Sequence, residues 1–273
     1  MNTLIIDHKS CQRCGACVAI CPVSVISLDA EKFPYMKEED EKRCVLCGHC
    51  EAVCSTQALK HRLLPQTETV QRDKLQEINA ENLSEYFRNR RSIRTFRSKP
   101  IDRSILEKIF EVVSYSPTGV NLQKNKWIMI CNHDFIYQLS NAVINWMKTM
   151  IEQKAELAQY LNFQKLVDTF EQGNDIICRG AMNLVIGYTD AVHTSGAIDS
   201  IIATSQLELL LPSFGLGGCW AGYLMIALGY SSEVKKMLGL DESHTVHSAM
   251  MIGYPKYRYY KIPSRKNPEV KWI

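Results

Sequence analysis

Hydrophobic residues change rhythm once along this chain, near residue 83. Before that point the apolar runs are short and sit between cysteine loops. The first 62 residues read as a small α+β unit with internal repetition. Each half has a short apolar strand, a cysteine loop and a short helix ending in an apolar strand, Val23–Leu28 in the first half and Gln57–Arg62 in the second. Residues 63–80, LLPQTETVQRDKLQEINA, are polar with one early proline and little periodicity, and read as a linker. From residue 81 to 273 helices alternate with apolar strands. The periodicity predicts helices over 83–90, 102–115, 133–149, 152–172, 198–213 and 231–239, with Asp102 as an N-cap. It predicts strands over 126–131, 182–188 and 247–254. These strands are apolar on both faces, as in a sheet covered on both sides. The expected fold of this part is an α+β sandwich of about 190 residues.

Eight of the eleven cysteines fall into two copies of one pattern, 33 residues apart. The copies are Cys11, Cys14, Cys17 and Cys21, followed by Pro22, and Cys44, Cys47, Cys50 and Cys54. Three thiolates spaced two residues apart can wrap one [4Fe–4S] cubane, and the fourth is placed to ligate the other cluster. Cys11, Cys14, Cys17 and Cys54 are therefore assigned to one cluster, and Cys44, Cys47, Cys50 and Cys21 to a second. Zinc sites usually pair two cysteines and set the second pair a dozen or more residues away, which this spacing does not fit. A disulfide framework would require an oxidising compartment, and the N-terminus has no signal-peptide pattern. The expected location is a reducing cytoplasm. A unit this small has little core of its own, so clusters would cross-link it.

Composition adds little: 46% hydrophobic and 22% charged residues are ordinary for a globular protein. The net charge of +3 is too small to argue for a nucleic-acid partner. Its distribution says more. Residues 1–63 hold eight Lys/Arg and eight Asp/Glu, so the excess lies in residues 64–273. Two four-thiolate clusters would add about −4 to the first part, favouring docking of the two parts or binding of an anionic cofactor. The most apolar stretch, 198–230, contains Asp199, Glu208 and Pro212, so a buried helix followed by a turn is expected and no membrane span.

Residues 3–62 resemble bacterial two-cluster ferredoxins, with Ser55 where that family often has proline. The second part carries a further resemblance. Arg90-Arg91-Ser92-Ile93-Arg94-Thr95-Phe96, Ser116–Gln123 followed by Trp127, Gly215–Gly222, and Gly253-Tyr254-Pro255 with Pro263-Ser264-Arg265 are similar, in order, to four motifs of nitroreductase-family flavoproteins. The resemblance implies an α+β sandwich with a central, mostly antiparallel sheet, and FMN as cofactor. Its phosphate calls for fixed positive charge, which the planar fork of arginine suits. Arg90, Arg94 and Arg265 are the phosphate and ribityl candidates, with Arg91 and Lys266 behind them. Ser92, Asn121 and Gln123 suit ribityl or ring-edge hydrogen bonds. The pairs Gly217-Gly218 and Ala221-Gly222 permit close backbone approach. The family's N–H groups near flavin N5 map to Gly222, the catalytic candidate, with Tyr223 adjacent.

Trp127, Trp220 and Met225 read as core. Cys131, Cys178 and Cys219 read as buried small hydrophobes. His49, between two cluster ligands, reads as a surface loop residue. No Ser/His/Asp set and no paired-carboxylate site is evident. The helical run 133–172 belongs to no motif, and its Trp146, Met147, Met150, Tyr160 and Phe163 would line a substrate pocket or a dimer interface. The family resemblance also implies a homodimer wrapped by C-terminal arms.

Together these features point to an FMN-dependent oxidoreductase. Electrons would pass through two clusters to FMN and on to a small electron-poor acceptor, namely a nitroaromatic, a quinone or a flavin. The donor would be a ferredoxin or NAD(P)H. NAD(P)H-driven reduction with the clusters as store or exit is the alternative, although no GxGxxG fingerprint is present. A non-catalytic electron carrier or redox sensor is a reading of another class.

Overall fold

The computed structural model describes residues 3–65 and 76–273, so most of the predicted 63–80 linker lies outside the described residues. The chain divides into two units. One comprises the described residues up to Glu77 with Val120–Leu122, and the other the remainder.

The first unit contains two antiparallel strand pairs. Strand β1 (Leu4–Ile6) pairs with β4 (Leu59–His61), and β2 (Ile26–Leu28) pairs with β3 (Pro34–Met36). Two single-turn helices, α1 (Ala16–Ala19) and α2 (His49–Ala52), follow the cysteine loops. The sequence repeat recurs in the backbone. Left-handed residues come in pairs 33 apart: Arg13 with Leu46, Gly15 with Gly48, and Ser24 with Gln57. Gly15 and Gly48 share φ 73° at the helix starts, where a side chain would be strained. The core is small: Leu4, Val25, Ile26, Met36, Cys50 and Leu59.

The second unit is built on four strands in the order β5-β6-β8-β7, all antiparallel. They are β5 (Lys126–Ile130), β6 (Asn183–Asp190), β7 (Gly217–Trp220) and β8 (His244–Gly253). Alternation sends successive side chains to opposite faces. Leu184, Ile186, Ala249 and Met251 face one core with α5 (His133–Glu152), α7 (Phe163–Glu171) and α9 (Gly222–Tyr230). Val185, Met250 and Ile252 face the other with α4 (Arg103–Val113) and α8 (Gly196–Leu210). Each of these side chains except Ala249 contributes about 1.5–3 kcal/mol by leaving water. The expected doubly covered sheet is present.

Pairing of β6 with β8 runs from Gly187↔Ser248 to Tyr188↔Val246, so His247 is an extra, bulged residue. Its Nε2 lies 2.8 Å from Thr189 Oγ1.

Several expectations need correction. The single helix predicted over 152–172 is two, α6 (Glu156–Tyr160) and α7. Lys154 and Asn162 take left-handed conformations that no helix interior accepts, and the Asn162 side chain caps α7 by accepting from Lys165 N. Asp102 is the N-cap of α4 as expected, but it caps through its carbonyl, which accepts from Ile105 and Leu106, and its side chain makes no cap bond. Met147 and Phe163 are fully buried within the unit, with Trp146 and Met150 packed against them, while Tyr160 is 85% exposed. Strand β7 and helix α9 were read only as a glycine-rich motif. Helix α3 (Ala80–Asn89) starts inside the expected linker, and α10 (Ser232–Met237) lies within its predicted range. Among the described residues, no helix is long and apolar enough to cross a membrane.

Candidate functional site

The cysteines ring two cavities in the first unit. Cys11, Cys14, Cys17 and Cys54 line one, and Cys21, Cys44, Cys47 and Cys50 line the other. The chain path explains the exchange. Each helix carries the third thiol of its own motif, and the following loop delivers the fourth across to the partner cavity. Among the described residues, no group of three or more His, Cys, Asp or Glu is set to hold a single metal ion. Burial pushes the Cys50 thiol up to about 11 and also raises that of Cys17. Ionising them there takes a cation alongside, which the irons of a cluster would provide. The donor set therefore fits iron–sulfur ligation. His49 is exposed at the rim of the second cavity, with Nδ1 3.2 Å from the Cys47 carbonyl. His61 lines the second cavity, its imidazole pushed below its usual range by burial.

In the second unit, Arg90, Arg91, Arg265 and Lys266 line one cleft of about 610 Å³ together with Phe87 and Pro263. Helix α3 ends at Asn89 and the chain turns there, which brings the first two arginines to the cleft. Arg90 Nη1 donates to Glu208 Oε1 at 2.8 Å, and Trp220 Nε1 donates to Glu208 Oε2 at 3.2 Å. Glu208, 7% exposed on α8, thus neutralises Arg90. Arg91 is different. Its Nη1 donates to the Arg90 carbonyl, but Nε and Nη2 are buried with no partner among the described residues. A buried guanidinium edge without an acceptor is costly, and it suits a phosphate-like anion with several acceptor oxygens. Arg90 and Arg91 also line an adjoining cavity of about 470 Å³ with Arg97, Arg258, Gly217 and Gly218.

The other sequence candidates lie elsewhere. Ser92 forms a bridge with Gly218, and Ile93 N donates to the Gly218 carbonyl at 2.8 Å. Arg94 is exposed and lines neither cleft. Asn121 groups with the first unit, where its Nδ2 donates to the carbonyls of Val45 and Leu46 at 3.0 Å. Gln123 borders a third cavity, of about 440 Å³, beside Trp127. Ala221 N donates to the Ala249 carbonyl, and Gly222 opens α9. A Cβ at Gly222 would meet nothing within 4 Å, so the space beside this exposed glycine is open. At Gly218, by contrast, a Cβ would come within 2.7 Å of Met250 Sδ. That glycine answers to core packing.

The loop carrying Ser116–Gln123 is anchored by a cluster that sequence reading did not find. Asp199, 2% exposed, accepts from Gly119 N at 3.0 Å and from Ser195 Oγ at 2.9 Å, with His193 Nε2 at 3.2 Å. The serine bonds the carboxylate more closely than the imidazole, which is 3.4 Å away. This is a loop staple, not a nucleophile activated by a base.

A family model described as "Nitroreductase family" matches residues 87–254, and one described as "4Fe-4S dicluster domain" matches residues 10–58.

The chain belongs to the nitroreductase family.

Membership makes it an oxidoreductase of that class, with a ferredoxin-type domain ahead of the nitroreductase domain. A putative NAD(P)H nitroreductase of Bacillus subtilis is 23% identical over 200 residues, covering 70% of this chain and 90% of the relative. Two solved nitroreductases with bound FMN share the fold. The one from Bacteroides fragilis is 22% identical with a TM-score of 0.58, covering 72% of this chain and all of that one. The one from Desulfitobacterium hafniense is 19% identical with a TM-score of 0.56, covering 70% and 97%. The family match spans the first, second and third motifs and ends at Tyr254, so Arg265 and Lys266 lie beyond it.

Glu208 was missed as a site residue, although one carboxylate in the apolar run Leu207–Leu211 signals a buried charge that needs a partner. Cys178 and Cys219 are buried as expected, and burial pushes the Cys178 thiol up to about 12 and also raises that of Cys219. Cys131 is exposed, which corrects the reading of all three as buried, because it lies just past the last paired residue of β5.

Proposed function

We propose that this nitroreductase-family chain is an FMN-dependent oxidoreductase that draws electrons through two [4Fe–4S] clusters and delivers them to a small electron-poor acceptor, a nitroaromatic, a quinone or another flavin. The observation that carries the flavin part is Arg91. Its two unpaired, buried donor nitrogens sit in a cleft shared with Arg90, Arg265 and Lys266. Arg91 with Arg265 would take the phosphate. Arg90, already neutralised by Glu208, would orient and not add net charge. The open N-terminus of α9 at Gly222 offers first-turn N–H groups and a positive helix end to a ring nitrogen or carbonyl. FMN when bound supplies the exchange between one- and two-electron chemistry, and the clusters supply one-electron transfer. Cys11, Cys14, Cys17 and Cys54 would hold one cluster and Cys21, Cys44, Cys47 and Cys50 the other, as their two cavities support. The domain limits proposed are 1–62, 63–80 and 81–273. We also take the functional form to be a homodimer. The exposed C-terminal tail, with Trp272 at 89% exposure, is the arm offered to the second copy.

NAD(P)H as direct donor is the second reading, favoured by the Bacillus relative named as an NAD(P)H nitroreductase. An anaerobic titration of reconstituted protein with NADPH or NADH separates the two. Flavin bleaching at about one equivalent would make the enzyme nicotinamide-driven. Bleaching only after reduced ferredoxin is added supports entry through the clusters. Protein that retains no FMN under any reconstitution would sink both.

A further inference from the structure

His61 ends β4 and is 1% exposed. It lines the cavity ringed by Cys21, Cys44, Cys47 and Cys50, and its Nε2 lies 3.4 Å from Cys44 Sγ. The backbone holds the ring there. His61 pairs with Leu4 across the strands, and its N–H donates to Glu51 Oε2 at 3.0 Å. The other ring nitrogen, Nδ1, is buried with no partner among the described residues. That orphan selects the tautomer. A neutral imidazole has one N–H and one lone pair. With the proton on Nδ1, a donor would be buried unpaired and a lone pair would face a thiolate. With the proton on Nε2, the donor meets sulfur and only a bare acceptor is left over. The second arrangement costs less.

We propose that His61 donates its Nε2–H to the Cys44 thiolate and thereby raises the reduction potential of the centre held by Cys21, Cys44, Cys47 and Cys50. This rests on the two-cluster reading above. A four-thiolate [4Fe–4S] centre goes from about −2 to about −3 on taking one electron, and a donor aimed at its sulfur favours the more negative form. The other half of the repeat has Leu28 at the position of His61, a side chain with no donor. The nearest side-chain counterpart at the first ring is the Thr56 hydroxyl, 3.8 Å from Cys54 Sγ. The first centre therefore serves as an internal reference within the same chain.

The test is an EPR-monitored titration of the reconstituted full-length protein with dithionite, comparing wild type, His61→Leu and His61→Gln. Iron and sulfide analysis comes first. Fewer than about eight irons in fully reconstituted wild type would overturn the two-cluster reading itself. With both centres present, His61→Leu should make reduction of the second centre about tenfold less favourable, about 59 mV for a one-electron couple. The first centre should stay in place, and His61→Gln, which keeps an N–H, should recover most of the shift. An unchanged second centre in His61→Leu, or an equal shift in both, overturns the proposal. Should His61→Leu fail to hold its cluster, wild type labelled with ¹⁵N-histidine decides. Pulsed EPR of the reduced protein should show a ¹⁵N coupling and an exchangeable proton, and their absence overturns the proposal equally.

Discussion

Glu208 Oε1 accepts a hydrogen bond from Arg90 Nη1 at 2.8 Å, while Arg91, one residue along, keeps two buried guanidinium nitrogens with no partner among the described residues. The sequence motif ranks the two arginines the other way round. Charge, burial and partners reverse the order.

Arg91→Ala should therefore weaken FMN binding by about 1.5–3 kcal/mol, the scale of hydrogen bonds to a charged group. Arg265→Ala should cost a similar amount. Arg94→Ala, at an exposed residue outside the cleft, should cost less than either. Fluorescence titration of FMN into the three apoproteins ranks them, and Arg94→Ala as the largest loss would reverse the assignment.

Glu208→Gln keeps the shape of the side chain and removes its charge. Arg90 and the Trp220 indole would then share a weaker acceptor, and stability should drop by about 1–3 kcal/mol, read from urea unfolding. A variant as stable as wild type would mean that Arg90 is held by something other than this carboxylate.

Cys21 follows the first motif but lines the second cavity. Cys21→Ser should damage the EPR signal of the centre held mainly by Cys44, Cys47 and Cys50 and spare the other. Loss confined to the first centre would contradict the crossed arrangement.

His247 gives the second unit a dependence on acid. Burial, with the adjacent His193, holds its imidazole below the usual 6.5. Thr189 Oγ1 is its hydrogen-bond partner, and Asp199 is the carboxylate that faces His193. The unfolded chain binds the proton more readily, so this group costs nothing above pH 6.5 and removes stability as pH falls below it, down to the folded value. Thermal melts of wild type and His247→Gln should diverge between pH 7 and pH 5, with the wild type losing more. Parallel curves would show that the imidazole is not the titrating group.

Much of this was legible in the sequence, for identifiable reasons. The doubled cysteine spacing fits iron–sulfur ligation better than a zinc site or a disulfide framework. The segments Leu184–Ile186 and Ala249–Ile252 are apolar at successive positions because helices cover both faces of the sheet. What escaped depends on single backbone angles or long-range partners. Lys154 and Asn162 break a run that is helical by composition, and only their left-handed φ shows it. The motif Gly215–Gly222 reads as a loop because its glycines conceal β7, where Gly217 and Gly218 are small for the sake of Ile93, Met250 and Leu211. The staple Gly119–Asp199 joins residues 80 apart and has no local signature. Arg91 matters because of what does not surround it.

The bulge at His247 makes β8 unequal in its tolerance of lost residues. Deleting Met250 would turn the residues on one side of it over and exchange the lining of the two cores. Deleting His247 instead would let Val246 and Ser248 follow each other in regular pairing with Tyr188 and Gly187, leaving Ala249, Met251 and Ile252 on their own faces. Within β8 the bulge is thus the place where losing one residue leaves both core faces as they are, and a version shortened there should stay folded while one shortened at Met250 should not.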